Sequence, residues 1–176
     1  GRAIILGGGE ADLTNTYWKA TKNLVTYTYL DFKKRGFADE MIWLLLNAPG
    51  IDVDGNGNDE QINTQGQALV DNRQPTVDAF LAAVKSQFSS ALTAGTTLFI
   101  YLQGHATPDR RFKVLGTDQF LTGSQLKDAL NTLQAGVGAT VVVILEACYS
   151  GNFIQDLSGQ KRIVLTSSGS EANRRT

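Results

Sequence analysis

The chain has 176 residues, of which 42% are hydrophobic and 19% charged, and its formal net charge at pH 7 is -1. This length predicts one domain that buries a full hydrophobic core. The mixed charges argue against nucleic acid or a membrane surface as a partner, and no apolar stretch approaches the roughly 18 residues of a transmembrane helix. The only cysteine, Cys148, excludes an intrachain disulfide and leaves the compartment open, with a secreted or periplasmic bacterial location favoured.

A first strand is predicted over residues 2–6, and Gly7, Gly8 and Gly9 follow it. Glycines in this place invite a dinucleotide-binding interpretation. However, Asp12 stands where that motif requires its third glycine, and no Walker lysine follows. We therefore interpret the glycines as a flexible turn that lets the backbone approach closely at the end of the sheet.

A helix is predicted over about residues 15–35, with Asn15 as its N-cap and Gly36 as its stop. Residues 41–46 form the second predicted strand. A strand, a helix and a strand in this order predict a right-handed crossover that joins parallel strands.

The polar loop over residues 47–75 matches the first half of a calcium-binding loop. Its candidate ligands are alternating side chains with oxygen atoms, Asp52, Asp54, Asn56 and Asn58. Gly57 would permit the sharp turn between them, but Asn63 stands where the closing glutamate should be. Both a calcium site and a loop that binds no ion remain open interpretations.

The remaining elements continue the alternation of helices and strands. One helix is predicted over residues 75–94 with Gly95 as its stop, and another from a capping box of Thr122 and Gln125 to Gly136. The other predicted strands are residues 97–102, 141–146 and 162–167, with a small hairpin over 112–115 and 119–121. The predicted fold class is an α/β three-layer sandwich with a mostly parallel central sheet and helices on both faces.

Two of the apolar strands end beside reactive side chains. The run over residues 97–102 precedes His105, which is the only histidine, and the run over residues 141–145 precedes Cys148. Short uninterrupted apolar runs are typical of parallel strands covered on both faces, and ligands bind at the carboxyl ends of such strands. The sequence therefore predicts a nucleophile and a base at one edge of the sheet.

The segments around these two residues also resemble a known signature. Residues 102–106, Leu-Gln-Gly-His-Ala, and residues 146–151, Glu-Ala-Cys-Tyr-Ser-Gly, resemble the two active-site motifs of the caspase-like, clan CD, cysteine peptidases. The second motif is most similar to the legumain-like family, and the loop over residues 52–57 is similar to an insert in bacterial legumain-like domains. The resemblance covers nearly the whole chain and implies a caspase-like fold and a cysteine endopeptidase.

The resemblance implies a role for each residue of the site. Cys148 would attack a peptide carbonyl to form an acyl-enzyme, and His105 would act as general base and acid. The backbone N–H groups of Cys148 and Ala106 would form the oxyanion hole. The substrate would be a peptide or a protein, and no cofactor would be required.

Two positions depart from the family pattern. Ala106 replaces the usual glycine after the histidine, so that its Cβ takes up space near the substrate or disfavours a positive φ. Gly8 and Gly9 replace an asparagine that orients the imidazole in some legumain-like members, so backbone carbonyls would hold His105 instead. These departures keep an alternative open, in which the chain is a catalytically inactive caspase-like binding or scaffold module.

The resemblance places the substrate pocket in the loops after the third, fourth and fifth strands of the sheet. The candidate lining residues are Asp109, Glu146, Ser167, Ser168 and Glu171. The acidic residues favour Arg or Lys before the scissile bond, a mixed polar lining would select Asn, and a basic lining would select Asp. Each of these charges is also compatible with an exposed surface position.

The family's sheet normally continues beyond the fifth strand, whereas this sequence stops at Thr176. Because an uncovered edge strand is prone to association, we expect a C-terminal partner segment or a second chain there. Cleavage near Arg174 and Arg175 would be consistent with self-processing. A serine hydrolase is less consistent with the sequence, because Ser150 lacks the glycine that a nucleophile elbow requires two residues earlier.

Overall fold

The computed structural model describes residues 1–10, 16–60, 75–116 and 118–170, and the backbone alone of residues 63–64 and 67–68. In chain order the strands are β1 (Arg2–Gly7), β2 (Ile42–Leu46), β3 (Asn63–Thr64), β4 (Gln67–Ala68), β5 (Thr97–Gln103), β6 (Arg111–Leu115), β7 (Gln119–Thr122), β8 (Thr140–Glu146) and β9 (Arg162–Thr166). The helices are α1 (Trp18–Lys34), α2 (Val77–Ala82), α3 (Gly123–Val137) and α4 (Ile154–Leu157).

Five of these strands form the central sheet, in the order β2-β1-β5-β8-β9. Every neighbouring pair in it is parallel. The pairs β3-β4 and β6-β7 form two small antiparallel ladders, of which the second is the predicted hairpin. The prediction of a mostly parallel central sheet is therefore confirmed.

The sheet separates two hydrophobic clusters. On one face, which we call the α1 face, Val25 and Tyr29 of α1 pack with the strands. On the opposite face, Phe80 of α2 and Leu126 of α3 belong to the larger cluster. Along the sheet, the chain moves in one direction from β1 to β2 and in the opposite direction from β2 through β5 and β8 to β9. Because both sets of crossovers are right-handed, the helix between β1 and β2 and the later helices lie on opposite faces. The predicted three-layer architecture is confirmed.

The strand register brings the carboxyl ends of the strands to one edge. Gly7 of β1 pairs with Gln103 of β5, and Gln103 also pairs with Glu146 of β8. On the other side of β8, Leu145 pairs with Thr166 of β9. The segments that follow β1, β5, β8 and β9 therefore lie side by side.

The helix predicted over residues 75–94 is shorter and less regular than expected. α2 ends at Ala82 and continues as a π-helical segment, Ala83–Gln87. The Ser86 hydroxyl donates a hydrogen bond of 2.9 Å to the Ala82 carbonyl oxygen, and such side-chain bonds compete with the regular backbone pattern. The prediction that Gly95 ends this helix was therefore wrong.

The capping box predicted for α3 is present. The Thr122 side chain accepts a hydrogen bond from the Gln125 N–H, and the Gln125 side chain accepts one from the Thr122 N–H. The predicted end at Gly136 was too early, because the left-handed residue that terminates the helix is Gly138, with φ 65°. A glycine adopts that conformation without steric cost.

The first helix ends as predicted. α1 stops just before Gly36, which has φ 85°. The predicted N-cap, Asn15, lies outside the described residues. Among the helices of the described part, none is long and apolar enough to cross a membrane.

Candidate active site

His105 and Cys148 follow neighbouring strands at equivalent positions. Gln103 and Glu146 are the last residues of β5 and β8, and they pair directly with each other. His105 and Cys148 each lie two residues further along the chain. The Gly104 N–H donates a hydrogen bond of 3.1 Å to the Glu146 carbonyl oxygen and so extends the contact between the two segments. The Cys148 side chain is exposed, not enclosed in the core.

The glycines after β1 lie against both the His105 segment and the hairpin. The Gly8 N–H donates to the Gln103 carbonyl oxygen at 2.8 Å. The Gly9 N–H donates to the Val114 carbonyl oxygen at 2.9 Å. A Cβ on Gly8 would overlap the carbonyl oxygen of Lys113. The predicted turn, in which glycine allows two backbones to approach closely, is confirmed.

The imidazole of His105 is partly buried and contacts an aromatic ring. The ring of Tyr17 meets it edge to face, with ring centroids 5.8 Å apart. Burial lowers the pKa of His105 below its usual value, and the positive charge of Lys113 lowers it further. The neutral imidazole, which accepts a proton, is therefore favoured at neutral pH. Sequence reasoning missed Tyr17, because an aromatic residue near a helix start carries no signal of a partner so far along the chain.

The backbone after the histidine is paired with the hairpin. Ala106 forms an isolated antiparallel bridge with Phe112. The neighbouring residues, not Ala106, supply the two hydrogen bonds of this bridge, so the Ala106 N–H faces away from β6. Ala106 is not among the residues with a positive φ, so the conflict expected between its Cβ and such a conformation does not arise.

The Cys148 segment turns sharply as it leaves β8. Tyr149 adopts the left-handed conformation with φ 56°, which few residues other than glycine populate. The chain then forms a 3₁₀ turn, Ser150–Phe153, that leads into α4.

A pair of serines ties this segment to the loop after β9, and we call the pair the serine clasp. The Ser150 N–H donates to the Ser168 Oγ at 3.1 Å, and the Ser168 N–H donates to the Ser150 Oγ at 3.0 Å. The Ser168 Oγ also donates to the Ala147 carbonyl oxygen at 2.9 Å. Ser150 is 0% exposed, so its hydroxyl holds the loop and is not available as a nucleophile.

Among the predicted pocket residues, Glu146 has the most defined surroundings. Its carboxylate accepts a hydrogen bond from the hydroxyl of Tyr101, which belongs to the cluster on the α1 face. Burial, followed by this hydrogen bond, raises the pKa of Tyr101 above its usual range. The Glu146 side chain is therefore held at the end of β8, two residues before Cys148 in the chain.

The other predicted pocket residues are spread around the same edge. Ser167 is exposed, and Ser168 belongs to the serine clasp. Asp109 is exposed on the loop before β6, where its carboxylate accepts hydrogen bonds from Thr107 at 2.5 Å and from Arg111 at 2.8 Å. Glu171 lies outside the described residues.

The loop with the calcium-like pattern gathers three carboxylates. Oxygen atoms of Asp52, Asp54 and Glu60 lie within 4.8 Å of one another. Sequence reasoning missed Glu60 because it looked for the closing carboxylate at Asn63, whose side chain lies outside the described residues. These hard oxygen ligands fit a calcium ion.

Side-chain oxygen atoms of this loop also accept hydrogen bonds from its own backbone. The Asp52 carboxylate accepts hydrogen bonds from the N–H groups of Gly55 at 2.7 Å and Gly57 at 2.9 Å. The Asn56 Oδ1 accepts one from the Asn58 N–H at 2.8 Å. Such Asx turns also occur in loops that bind no ion, so the two interpretations of this segment remain alternatives.

A parallel sheet with a histidine and a cysteine beyond two paired strands defines this chain as a caspase-like α/β domain. The chain belongs to the Peptidase C13 family, whose model matches residues 5–175. This match confirms the legumain-like relationship that the motifs at residues 102–106 and 146–151 predicted.

No curated protein matches the chain. Among solved structures, Raptor from Chaetomium thermophilum is similar, with a TM-score of 0.46 and 10% sequence identity. The similarity covers 97% of this chain and 15% of that chain, so this chain spans only a small part of that protein's length.

Proposed function

We propose that this chain is a cysteine endopeptidase that uses Cys148 and His105 as its catalytic dyad. The observation that carries the proposal is the direct pairing of Gln103 with Glu146, which puts the two reactive residues at equivalent positions beyond adjacent strands. The exposed thiol is open to a substrate. Membership of the Peptidase C13 family agrees with this activity.

The reaction would proceed through an acyl-enzyme. Neutral His105 accepts the thiol proton of Cys148, and the sulfur attacks the carbonyl carbon of the scissile bond. The N–H groups of Cys148 and Ala106 hold the negative charge that develops on the carbonyl oxygen. His105 then gives its proton to the leaving amine. A water molecule, deprotonated by His105, hydrolyses the thioester and restores the thiol.

The proposed substrate is a peptide or protein segment with a basic residue before the scissile bond. Glu146 supports this preference, because its carboxylate is fixed by Tyr101 just before the cysteine segment. Asp109, Ser167, Ser168 and Glu171 are the other proposed contributors to the pocket. The reaction as written needs no cofactor, and a calcium ion held by Asp52, Asp54, Asn56 and Asn58 would have only a structural role.

A partner segment, from the same or a second chain, is proposed along the outer edge of β9. In the described part of the protein, β9 is the last strand of the sheet. Ile163 and Leu165 on the α1 face of this strand are 52% and 51% exposed. Such an apolar edge favours the addition of another segment. Self-processing at Arg174 or Arg175 is one route by which that segment would become a separate chain.

The second candidate function is a binding or scaffold module without turnover. Ala106 favours this alternative, because its Cβ replaces the hydrogen of a glycine beside the proposed oxyanion hole. Both candidates share the fold, so only the chemistry of Cys148 separates them.

The test compares alkylation of Cys148 by iodoacetamide at about pH 6 in the wild type and in His105→Ala. If the chain is a peptidase, iodoacetamide should alkylate Cys148 quickly in the wild type and more slowly in His105→Ala. If Cys148 is an inert cysteine, the two proteins should be alkylated at equal rates. Fluorogenic peptides with Arg, Lys, Asn or Asp before the scissile bond then measure turnover and preference. Rapid alkylation without cleavage of any peptide would favour the binding module.

A further inference from the structure

An open cavity lies at the end of the sheet opposite to Cys148. It has a volume of about 390 Å³ and is lined by residues of α3 and of the segment that leads from α4 into β9. We call it the basic cavity, because its charged lining residues are Lys127, Lys161 and Arg162 and none of the residues that line it is acidic. Arg162 is the first residue of β9, so the cavity lies at the amino ends of the parallel strands. Its volume is in the range of small-molecule sites.

The guanidinium of Arg162 is held in this cavity by uncharged partners. Its Nε donates a hydrogen bond of 2.6 Å to the Gln134 Oε1, and its Nη2 donates one of 2.6 Å to the Asn131 Oδ1. Gln134 is itself held, because its Nε2 donates to the Ala139 carbonyl oxygen at 3.0 Å. Burial lowers the pKa of Arg162 below its usual value. The two amides therefore orient a partly buried positive charge without neutralising it.

The two lysines add charge that the fold does not balance. The Lys161 Nζ donates to the Gly138 carbonyl oxygen at 3.0 Å, at the C-terminal end of α3. Within the part of the chain that the structure describes, neither lysine nor Arg162 forms an ion pair, and Asp128, the acidic residue of α3, does not line the cavity. The negative end of a helix dipole amounts to about half a charge, so it offsets only a small part of three positive charges.

The backbone keeps two of these cations together at a cost. Lys161 and Arg162 are consecutive residues, and consecutive side chains of a regular strand point to opposite faces, yet both line the basic cavity. Lys161 adopts the left-handed conformation with φ 54°, and the Arg162 N–H donates to the Gly159 carbonyl oxygen at 3.3 Å, which closes a tight turn. The left-handed conformation is unfavourable for a residue with a side chain. An anion bound between the cations would offset their repulsion.

We propose that the basic cavity is a binding site for a phosphate group, either free phosphate or the monoester of a small molecule. Near neutral pH a phosphate monoester carries about 1.5 to 2 negative charges, which suits a site with three cations and one helix C-terminus. A guanidinium offers parallel N–H donors to an oxyanion, and a lysine ammonium binds phosphate as a point charge. The volume of the cavity leaves room for an organic substituent. This inference does not depend on the proposed peptidase function, because it uses none of the residues of that site.

An NMR titration of the full chain tests the proposal. Inorganic phosphate, phenyl phosphate, benzoate or chloride is added at constant ionic strength, and the amide signals of Gly138, Gly159 and Lys161 are followed. Both phosphate compounds should give saturable shifts at these amides, and chloride should give none. Benzoate has the same ring with a single negative charge, so it should bind about tenfold more weakly than phenyl phosphate. Tighter binding of phenyl phosphate than of phosphate would assign the ligand as a monoester, and equal affinities would assign it as free phosphate.

Matched variants separate the cavity from general electrostatic attraction. Lys127 is exposed and lines the cavity, so Lys127→Met should raise the dissociation constant of phenyl phosphate by about threefold to tenfold. Lys34→Met on α1 removes the same charge on the opposite face of the sheet and should keep the wild-type affinity. Arg162→Gln should abolish measurable binding. It also removes hydrogen bonds to α3, so its thermal midpoint should fall, whereas that of Lys127→Met should stay at the wild-type value.

Three results would each overturn the proposal. The first is the absence of saturable shifts with both phosphate compounds. The second is an equal loss of affinity in Lys127→Met and Lys34→Met, which would indicate attraction to the overall charge and no defined site. The third is binding of benzoate as tight as that of phenyl phosphate, which would assign the cavity to carboxylates.

Discussion

The backbone N–H of Lys113 donates a hydrogen bond of 2.8 Å to the carbonyl oxygen of His105, and the charge of the same lysine lowers the pKa of the imidazole. One residue of β6 therefore both positions the proposed base and favours its neutral form. The two contributions are separable, because the hydrogen bond uses the backbone and the electrostatic effect uses the side chain.

Replacing the lysine tests the electrostatic contribution. Lys113→Met keeps the backbone hydrogen bond and removes the charge, so the pKa of His105 should rise toward its usual value of 6.5. The base must be neutral to accept the thiol proton, so the acid limb of kcat/KM should move to higher pH. The pH profile measures this shift, and Lys127→Met on the exposed side of α3 is the control. An acid limb that stays in place would contradict the role of Lys113.

His105 should also affect stability at acidic pH. Its pKa is lowered in the folded state, so from about pH 6.5 downward the unfolded chain takes up a proton that the folded protein does not. The free energy of unfolding should therefore fall as the pH drops through this range, with no contribution above it. His105→Gln should lack this part of the acid sensitivity. Urea unfolding at several pH values between about 5 and 8 measures it, and parallel curves for both proteins would refute the prediction.

Gly8 should not tolerate a side chain. In Gly8→Ala, the new Cβ would overlap the Lys113 carbonyl oxygen, so either β6 or the segment after β1 must move. We expect a loss of about 1–3 kcal/mol in the free energy of unfolding, together with a lower kcat. Gly136→Ala is the matched control, because its Cβ would meet nothing within 4 Å in α3. That control should be stabilised by about 0.5–1 kcal/mol, and equal effects of both changes would contradict the packing argument.

The serine clasp should contribute measurably to stability. Ser150→Ala leaves the partly buried Ser168 N–H and hydroxyl without the Ser150 oxygen as a partner, so we expect a loss of about 1–3 kcal/mol. The iodoacetamide rate of Cys148 should change as well, because the clasp holds the turn that follows it. Ser167→Ala, at an exposed position, should stay within about 0.5 kcal/mol of the wild type. Chemical unfolding of the three proteins gives the comparison.

Calcium binding at the Asp52 loop stays a prediction that a thermal melt decides. If the loop binds the ion, calcium should raise the thermal midpoint relative to a chelator, because a ligand that binds only the folded state stabilises it by mass action. Glu60→Gln should abolish most of this rise, since Glu60 is the third carboxylate of the group. Asp31→Asn on the exposed side of α1 is the control and should respond like the wild type. Equal midpoints with calcium and with chelator would assign the loop to the alternative that binds no ion.

The sheet and the places of His105 and Cys148 were predictable, because buried parallel strands leave an uninterrupted apolar run in the sequence. The ends of α2 and α3 were less so, because they depend on local competition such as the Ser86 hydroxyl and on which of two nearby glycines turns left-handed.

The pairwise contacts of the site were beyond single-sequence reasoning. The edge contact of Tyr17 joins it to His105, which is distant in the chain, and Lys113 influences the pKa of the same imidazole from the following hairpin. Only the completed register of β1, β5 and β8 with the hairpin brings such residues together.

The connection between α4 and β9, residues 158–161, is exposed and lies between the two halves of the serine clasp. Five parallel residue pairs join β8 to β9 across this connection, and the clasp adds reciprocal hydrogen bonds. A nick in the polypeptide at this point would therefore produce two fragments that remain associated, with the thiol still supported by both. Limited proteolysis there would change the covalent connectivity of the domain without dismantling it.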